Sequence, residues 1–358
     1  MTEFIPSSQN VKILGRTIAV DEGILLHSSG SGVEFEYIGT KLIVTFHGDS
    51  SVSLNDNFVN WRNLSRVQIM VDGHVMLNTE IKHETERFVV FGDEPGLAKA
   101  RHVVRILKLS EAMMSGVVLG SICIESDSEP VPTPPKDKLI EFVGDSITCG
   151  YSIDTDDEFW SFSTACENAS EAYAYVAAQA LDIDFSMVSY SGHGIISGYT
   201  PDSEVKAEDG LLPPYYELIA KSVFDYKGLN PENYRWSFDR EPDVIVINLG
   251  TNDSSYTADV PAKISEYEDE YLRFLTVIRK NNPNAHIICA LGMMGDSLYP
   301  AVERVVGKYS ETYDTNISAF HMTPMNNEVD GIGGDYHPSR ASHKKAAAEL
   351  TEELRKWL

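Results

Sequence analysis

The rhythm of apolar and polar positions changes near residue 130. Between residues 11 and 125, short runs alternate apolar and polar side chains with a period of two. Val33-Glu34-Phe35-Glu36-Tyr37, Lys41-Leu42-Ile43-Val44-Thr45-Phe46 and Val67-Gln68-Ile69-Met70-Val71 are such runs, and residues 88–91, 102–107 and 117–124 continue them. A period of two puts alternate side chains on opposite faces of a strand, and β-branched and aromatic residues suit that pleated surface. Turn formers lie between the runs: Ser28-Ser29-Gly30-Ser31-Gly32, Gly48-Asp49-Ser50-Ser51 and Asp72-Gly73. Asp72-Gly73, flanked by apolar residues, predicts a tight hairpin. Many short strands without a helical period predict an antiparallel β-sandwich, jelly-roll-like, over residues 1–129.

Residues 130–135 read Pro-Val-Pro-Thr-Pro-Pro. Proline has no N–H and a fixed φ, so this stretch suits neither a sheet interior nor a helix. It predicts an extended, semi-rigid linker over 130–136. From residue 137 onward apolar strands alternate with helices. Residues 139–143, 185–189, 244–249 (VIVINL) and 286–291 read as strands; the unbroken apolar run of the third suits a parallel strand covered on both faces. Residues 172–181 read as a helix. Ile264, Tyr267, Tyr271, Leu275 and Ile278 step by 3, 4, 4 and 3 along one helical face, which Pro283 ends. Ala346, Leu350, Leu354 and Trp357 step by 4, 4 and 3 along a last helix. Alternating strands and helices predict a doubly wound parallel α/β domain over residues 137–358.

Length agrees with this division: 358 residues exceed what one core usually organises. Lys and Arg number 29 against 54 Asp and Glu, a formal charge of −25. Such a surface repels phosphate backbones and anionic membranes, and it suits a neutral substrate. Neither nucleic acid nor membrane is expected as a partner, and a homo-oligomer is compatible with the composition. The start, MTEFIPSSQNVKILG, lacks the basic and apolar regions of a secretory signal, so a cytoplasmic location is expected, with a trimmed secreted chain as the alternative. Cys123, Cys149, Cys166 and Cys289 show no C-x-x-C spacing, which predicts reduced, buried thiols and no metal site.

In doubly wound sheets, ligands bind beyond the carboxyl ends of the strands. Four segments fall there. Gly144-Asp145-Ser146 follows the first strand; a serine at a strand-to-helix turn exposes both its hydroxyl and its N–H. Ser189-Tyr190-Ser191-Gly192-His193-Gly194 follows the second, and glycine lets a backbone N–H approach a developing negative charge. Gly250-Thr251-Asn252-Asp253 follows VIVINL, and an Asn amide donates without acting as a base. Asp335-Tyr336-His337-Pro338-Ser339 precedes the last helix, and histidine takes and returns protons near neutral pH. Each segment alone is also an ordinary turn.

Taken in order, the four segments resemble the blocks of the SGNH (GDSL-type) hydrolases, over residues 137–358. The resemblance implies Ser146 as nucleophile and His337 as general base. It implies the Ser146 N–H, the Gly192 N–H and the Asn252 amide as an oxyanion hole, with Gly194 as the alternative glycine. That family usually places its orienting Asp three residues before the His; here position 334 is Gly, and Asp335 lies two before His337. Either the Asp335 carboxylate reaches the ring, or the loop turns it away and a backbone carbonyl holds the ring instead.

A β-sandwich ahead of a domain that opens GDSITCGY is similar to carbohydrate esterase family 2. This implies a cofactor-free serine esterase that removes O-acetyl groups from xylan- or mannan-type glycans, an acetylated carbohydrate being the partner. Trp160, Tyr190, Tyr199 and Tyr336 are candidate sugar-stacking aromatics. The alternatives are a lysophospholipase or thioesterase of the same superfamily, and a non-catalytic glycan-binding protein. The sugar, the acetylated position and a glycan-binding role for the sandwich are left open.

Overall fold

The computed structural model describes residues 1–53, 63–92 and 99–358. The chain forms two compact units. The first comprises residues 1–135, 163–167 and 218–235; the second comprises 136–162, 168–217 and 236–358. The chain passes between them at Pro135, inside the predicted linker. The two later stretches that cluster with the first unit are not foreshadowed by any apolar periodicity.

The first unit is antiparallel and β-rich. Its strands are β1 (Thr2–Phe4), β2 (Lys12–Leu14), β3 (Thr17–Val20), β4 (Gly23–Leu26), β5 (Gly32–Gly48), β6 (Arg66–Val71), β7 (His74–Glu80), β8 (Glu86–Phe91), β9 (Ala100–Lys108), β10 (Val117–Ser126) and β11 (Val131–Pro132). The central order is β3-β4-β10-β5-β9-β6-β7. Two runs that the sequence separates, 33–37 and 41–46, belong to the single long strand β5. Its first half pairs with β9 and its second half with β8, so one strand serves two neighbours in succession. Phe35, Leu42, Val44, Phe46, Ile106 and Leu119 fill the core with no exposure. Each such side chain contributes roughly 1.5–3 kcal/mol by leaving water. The Asp72-Gly73 turn joins β6 to β7 with φ of +51° and +80°, as a two-residue hairpin of the mirror-image type requires. Part of the proline segment takes strand form: Val131 and Pro132 lie against Glu36 and Phe35. A two-residue strand suits proline because it asks for few ladder hydrogen bonds.

The second unit holds a five-stranded parallel sheet of β12 (Leu139–Gly144), β13 (Asp184–Ser189), β14 (Val244–Asn248), β15 (His286–Gly292) and β16 (Ile317–Met322), in the order β13-β12-β14-β15-β16. All its pairings are parallel. Every residue of β14 and β15 is buried, so both faces of the sheet centre are covered. The helices are α1 (Ser146–Cys149), α2 (Tyr173–Ala180), α3 (Thr251–Thr257), α4 (Pro261–Asn281), α5 (Tyr299–Thr312), α6 (Asn327–Asp330) and α7 (Arg340–Leu354). Tyr267, Tyr271, Leu275 and Ile278 form the buried face of α4, as their spacing predicts.

The last helix departs from its predicted extent. It ends at Leu354, and Trp357 lies beyond it, 41% exposed, with its ring stacked on His286. The four cysteines are free and buried. Among the described residues no helix is long and apolar enough to cross a membrane, and no group of His, Cys, Asp or Glu could hold a metal ion.

Candidate active site

Gly144, the last residue of β12, pairs with Ser189 of β13 on one side and Asn248 of β14 on the other. Three parallel strands therefore end level with one another. The GDS, SYSGHG and GTND segments leave the sheet from that common edge, and tertiary hydrogen bonds tie them together. The Asn252 amide donates to the His193 carbonyl at 2.8 Å and to the Asp145 carboxylate at 3.3 Å.

Ser146 opens the one-turn helix α1. Asp145 caps that turn, its carboxylate accepting the Ile147 N–H at 3.0 Å, and Gly150 ends it in the left-handed region at φ +75°. Ser146 is 6% exposed, and its N–H has no hydrogen-bond partner among the described residues. Its Oγ lies 2.9 Å from Nε2 of His337.

His337 sits just ahead of α7, 9% exposed, with Tyr151 edge-on to its ring at 4.5 Å between centroids. Nδ1 lies 2.9 Å from the backbone carbonyl oxygen of Asp335. A carbonyl only accepts, so Nδ1 carries the proton and Nε2 keeps its lone pair for the serine hydroxyl. Burial holds the ring's pKa below its ordinary value of 6.5, with hydrogen bonding to the Asp335 backbone and the Asp335 charge acting the other way. Burial therefore favours the neutral form of the ring.

Of the two alternatives for residue 335, the structure has the backbone carbonyl on the ring. Asp335 lies in the left-handed region at φ +50°, as does Tyr336 at φ +57°. This pair of turns brings the Asp335 carbonyl onto the ring and leaves its side chain exposed.

The two candidate glycines separate cleanly. Gly194 spends its N–H on the Gly210 carbonyl at 2.9 Å. The Gly192 N–H has no partner among the described residues, and this residue takes φ +73°. Of the two, only Gly192 has a donor to offer a ligand.

A model described as GDSL-like Lipase/Acylhydrolase family matches residues 142–345. The chain belongs to this family. A second model, Carbohydrate esterase 2 N-terminal, matches residues 15–134, and by this two-part layout the chain groups with the family 2 carbohydrate esterases. It is 30% identical over 336 residues to the cellulase/esterase CelE of Acetivibrio thermocellus, which is 92% of this chain but only 37% of that protein. It is 25% identical over 357 residues to an acetylxylan esterase / glucomannan deacetylase of Cellvibrio japonicus, 98% of this chain and 89% of that one. An acetyl xylan esterase from the rumen bacterium Butyrivibrio proteoclasticus has the same fold with a TM-score of 0.84 at 25% identity, over 98% of this chain and 96% of that one.

Two buried carboxylates of this acylhydrolase fold were not singled out by the sequence. Burial, and then the Asp253 charge, push the Asp145 carboxyl up to about 7. Burial pushes Asp253 up to about 6 although three backbone N–H groups hold it down. Their place in GDS and GTND was visible in the sequence; their burial was not. Of the candidate aromatics, Trp160, Tyr199 and Tyr336 are 39%, 64% and 49% exposed. Tyr190 is 1% exposed, which removes it as a sugar platform. Phe159, 74% exposed and edge-on to Tyr336 at 6.0 Å, was missed because nothing in its local sequence marks it.

Proposed function

We propose that this protein is a serine esterase that removes O-acetyl groups from xylan- or mannan-type glycans, with Ser146 as nucleophile and His337 as general base. The observation that carries this reading is the Ser146–His337 contact of 2.9 Å, with Nδ1 satisfied by a carbonyl so that Nε2 faces the hydroxyl. The acetyl specificity is supported by the names of the relatives.

Ser146 Oγ attacks the acetyl carbonyl carbon while His337 takes its proton. The carbonyl oxygen becomes an oxyanion. The N–H groups of Ser146 and Gly192 and the Asn252 amide are proposed to receive it. The Asn252 amide reaches the oxyanion by releasing its longer contact, the one to Asp145. Collapse expels the sugar alcohol, which takes the proton from His337. Water then attacks the acetyl-serine with His337 again as base, and acetate leaves with the serine restored. The charge of −25 admits a neutral acetylated glycan more readily than a polyanion. The domain reading, a sandwich ahead of a catalytic domain with the proline segment between, is proposed with it.

The test is acetate release from acetylated xylan, acetylated glucomannan and acetylated monosaccharides, alongside acetyl and octanoyl chromogenic esters. Release from the glycans, preference for the acetyl ester, and loss of both in Ser146→Ala are expected. A Ser146→Ala protein that keeps a near-native rate, or a preference for the octanoyl ester, overturns the proposal.

A further inference from the structure

The GTND segment contains a second side chain that faces the oxyanion loop. Asp253, with no exposure, directs its carboxylate at the segment after Gly192. Oδ1 accepts the N–H of Ile195 at 2.9 Å, of Ile196 at 2.7 Å and of Ser197 at 3.2 Å, and Oδ2 takes the Ile195 N–H as well at 3.1 Å. Three consecutive N–H groups thus converge on one buried carboxylate. Such a group is costly to bury unless hydrogen-bonded, and here the backbone of the loop supplies its partners.

The fit leaves no slack. A Cβ at position 194 would lie 2.6 Å from Asp253 Oδ2. The neighbouring residue grips the same loop from the same helical turn, since the Asn252 amide donates to the His193 carbonyl at 2.8 Å. Two adjacent side chains at the start of α3 therefore hold residues 193–197. Gly192, immediately before that segment, keeps its N–H without a partner among the described residues. The Asp253 carboxylate makes no hydrogen bond to Ser146 or His337 among the described residues, so it acts on chemistry only through what it holds.

We propose that Asp253 is a positioning residue for the oxyanion hole: by anchoring residues 195–197 against the start of α3, it keeps the Gly192 N–H and the Asn252 amide in one fixed register. This rests on the esterase reading above. An oxyanion hole works because its donors are aimed before charge develops, so loosening one donor raises the barrier without weakening substrate binding.

The experiment compares Asp253→Ala and Asp253→Asn with the native enzyme on a chromogenic acetate ester. It also measures inhibition by an arylboronic acid, which becomes tetrahedral on a serine. Loss of an oxyanion donor costs about 10²–10³ in kcat, and a loosened one in Asp253→Ala should cost about 10–10². KM should stay within about threefold, because ground-state binding does not use the donors. Boronate affinity should weaken in step with kcat. Asp253→Asn, which keeps one acceptor oxygen, should fall between Ala and native. A folded Ala variant with kcat within about threefold of native, a loss confined to KM, or unchanged boronate affinity overturns the proposal. If the Ala variant does not fold, the Asn variant decides by the same criteria, with a loss of at least about fivefold in kcat expected. Failure of both to fold also overturns it, since the carboxylate would then support the whole domain. An inactive native enzyme defeats the esterase reading and this inference together; an active one with unimpaired variants defeats the inference alone.

Discussion

Asp335 holds His337 through its backbone carbonyl, 2.9 Å from Nδ1, while its carboxylate faces solvent. A neutral carbonyl fixes the tautomer as well as a carboxylate does, but it stabilises the imidazolium of the transition state less. In the proposed reaction the exposed carboxylate is therefore expected to contribute little. Asp335→Asn tolerates the left-handed backbone and should keep kcat/KM within a few-fold of native, on the order of the effect of removing a screened charge. Asp335→Ala should lose less than about tenfold in rate and about 1 kcal/mol in stability from the left-handed strain. Kinetics on a chromogenic acetate and a thermal melt measure both. A loss on the order of 10³ in Asp335→Asn would restore the carboxylate to the ring.

His337 should show its protonation in the rate. Burial holds its pKa below 6.5, and in the proposed reaction only the neutral ring accepts the serine proton. The midpoint of the acid limb of kcat/KM is therefore expected below pH 6.5. His337→Ala should cost a factor on the order of 10³ or more and abolish that limb. An acid limb centred above pH 7 would contradict the desolvated environment.

The two glycines of the SYSGHG segment should differ by what stands beside them. A Cβ at Gly192 would meet nothing within 4 Å, whereas one at Gly194 would lie 2.1 Å from the Ser197 carbonyl oxygen. Gly192→Ala then carries only left-handed strain, about 1–2 kcal/mol. Gly194→Ala carries no left-handed strain but must displace the loop, and its melting temperature should fall further than that of Gly192→Ala. Equal melting temperatures would mean that the loop yields freely.

His343 should make stability depend on pH. It has no exposure, its Nδ1 accepts the Tyr173 N–H at 3.1 Å, and burial pushes its pKa down to about 3. The unfolded chain takes up this proton near pH 6.5 and the folded one does not. The contribution is whole above pH 6.5 and is lost progressively as pH falls toward 3. Asp145 and Asp253, raised from 3.8 to about 7 and about 6, act in the opposite sense, their contribution declining as pH rises from 3.8 to those values. His343→Gln keeps an acceptor but not the titration. Its melting temperature should fall less steeply than the native one between pH 6.5 and 4, and parallel curves would refute the assignment.

Periodicity carried much of the architecture. The VIVINL run, the buried stripe of α4 and the Asp72-Gly73 hairpin were legible because each follows from a short-range rule about faces and turns. The edge strand β16 was not read, since an edge strand is half exposed and its pattern is mixed. Helix α5 was passed over although Ala301, Val302, Val305 and Tyr309 step by 1, 3 and 4 along its buried face. Trp357 continued the spacing of α7 past the point where the helix ends. The candidate residues Ser146, Gly192, Asn252 and His337 were proposed from sequence as a resemblance, because strand ends and turn residues mark where a doubly wound sheet binds. Which atom of residue 335 meets the ring was not, since two left-handed residues, and not residue type, aim the carbonyl. Nor was the grip of Asp253 on residues 195–197; and where the resemblance preferred Gly192 to Gly194, only the fold shows the Gly194 N–H spent on distant Gly210. Local preference sets strands, helices and turns; only the folded chain decides which donors remain unspent.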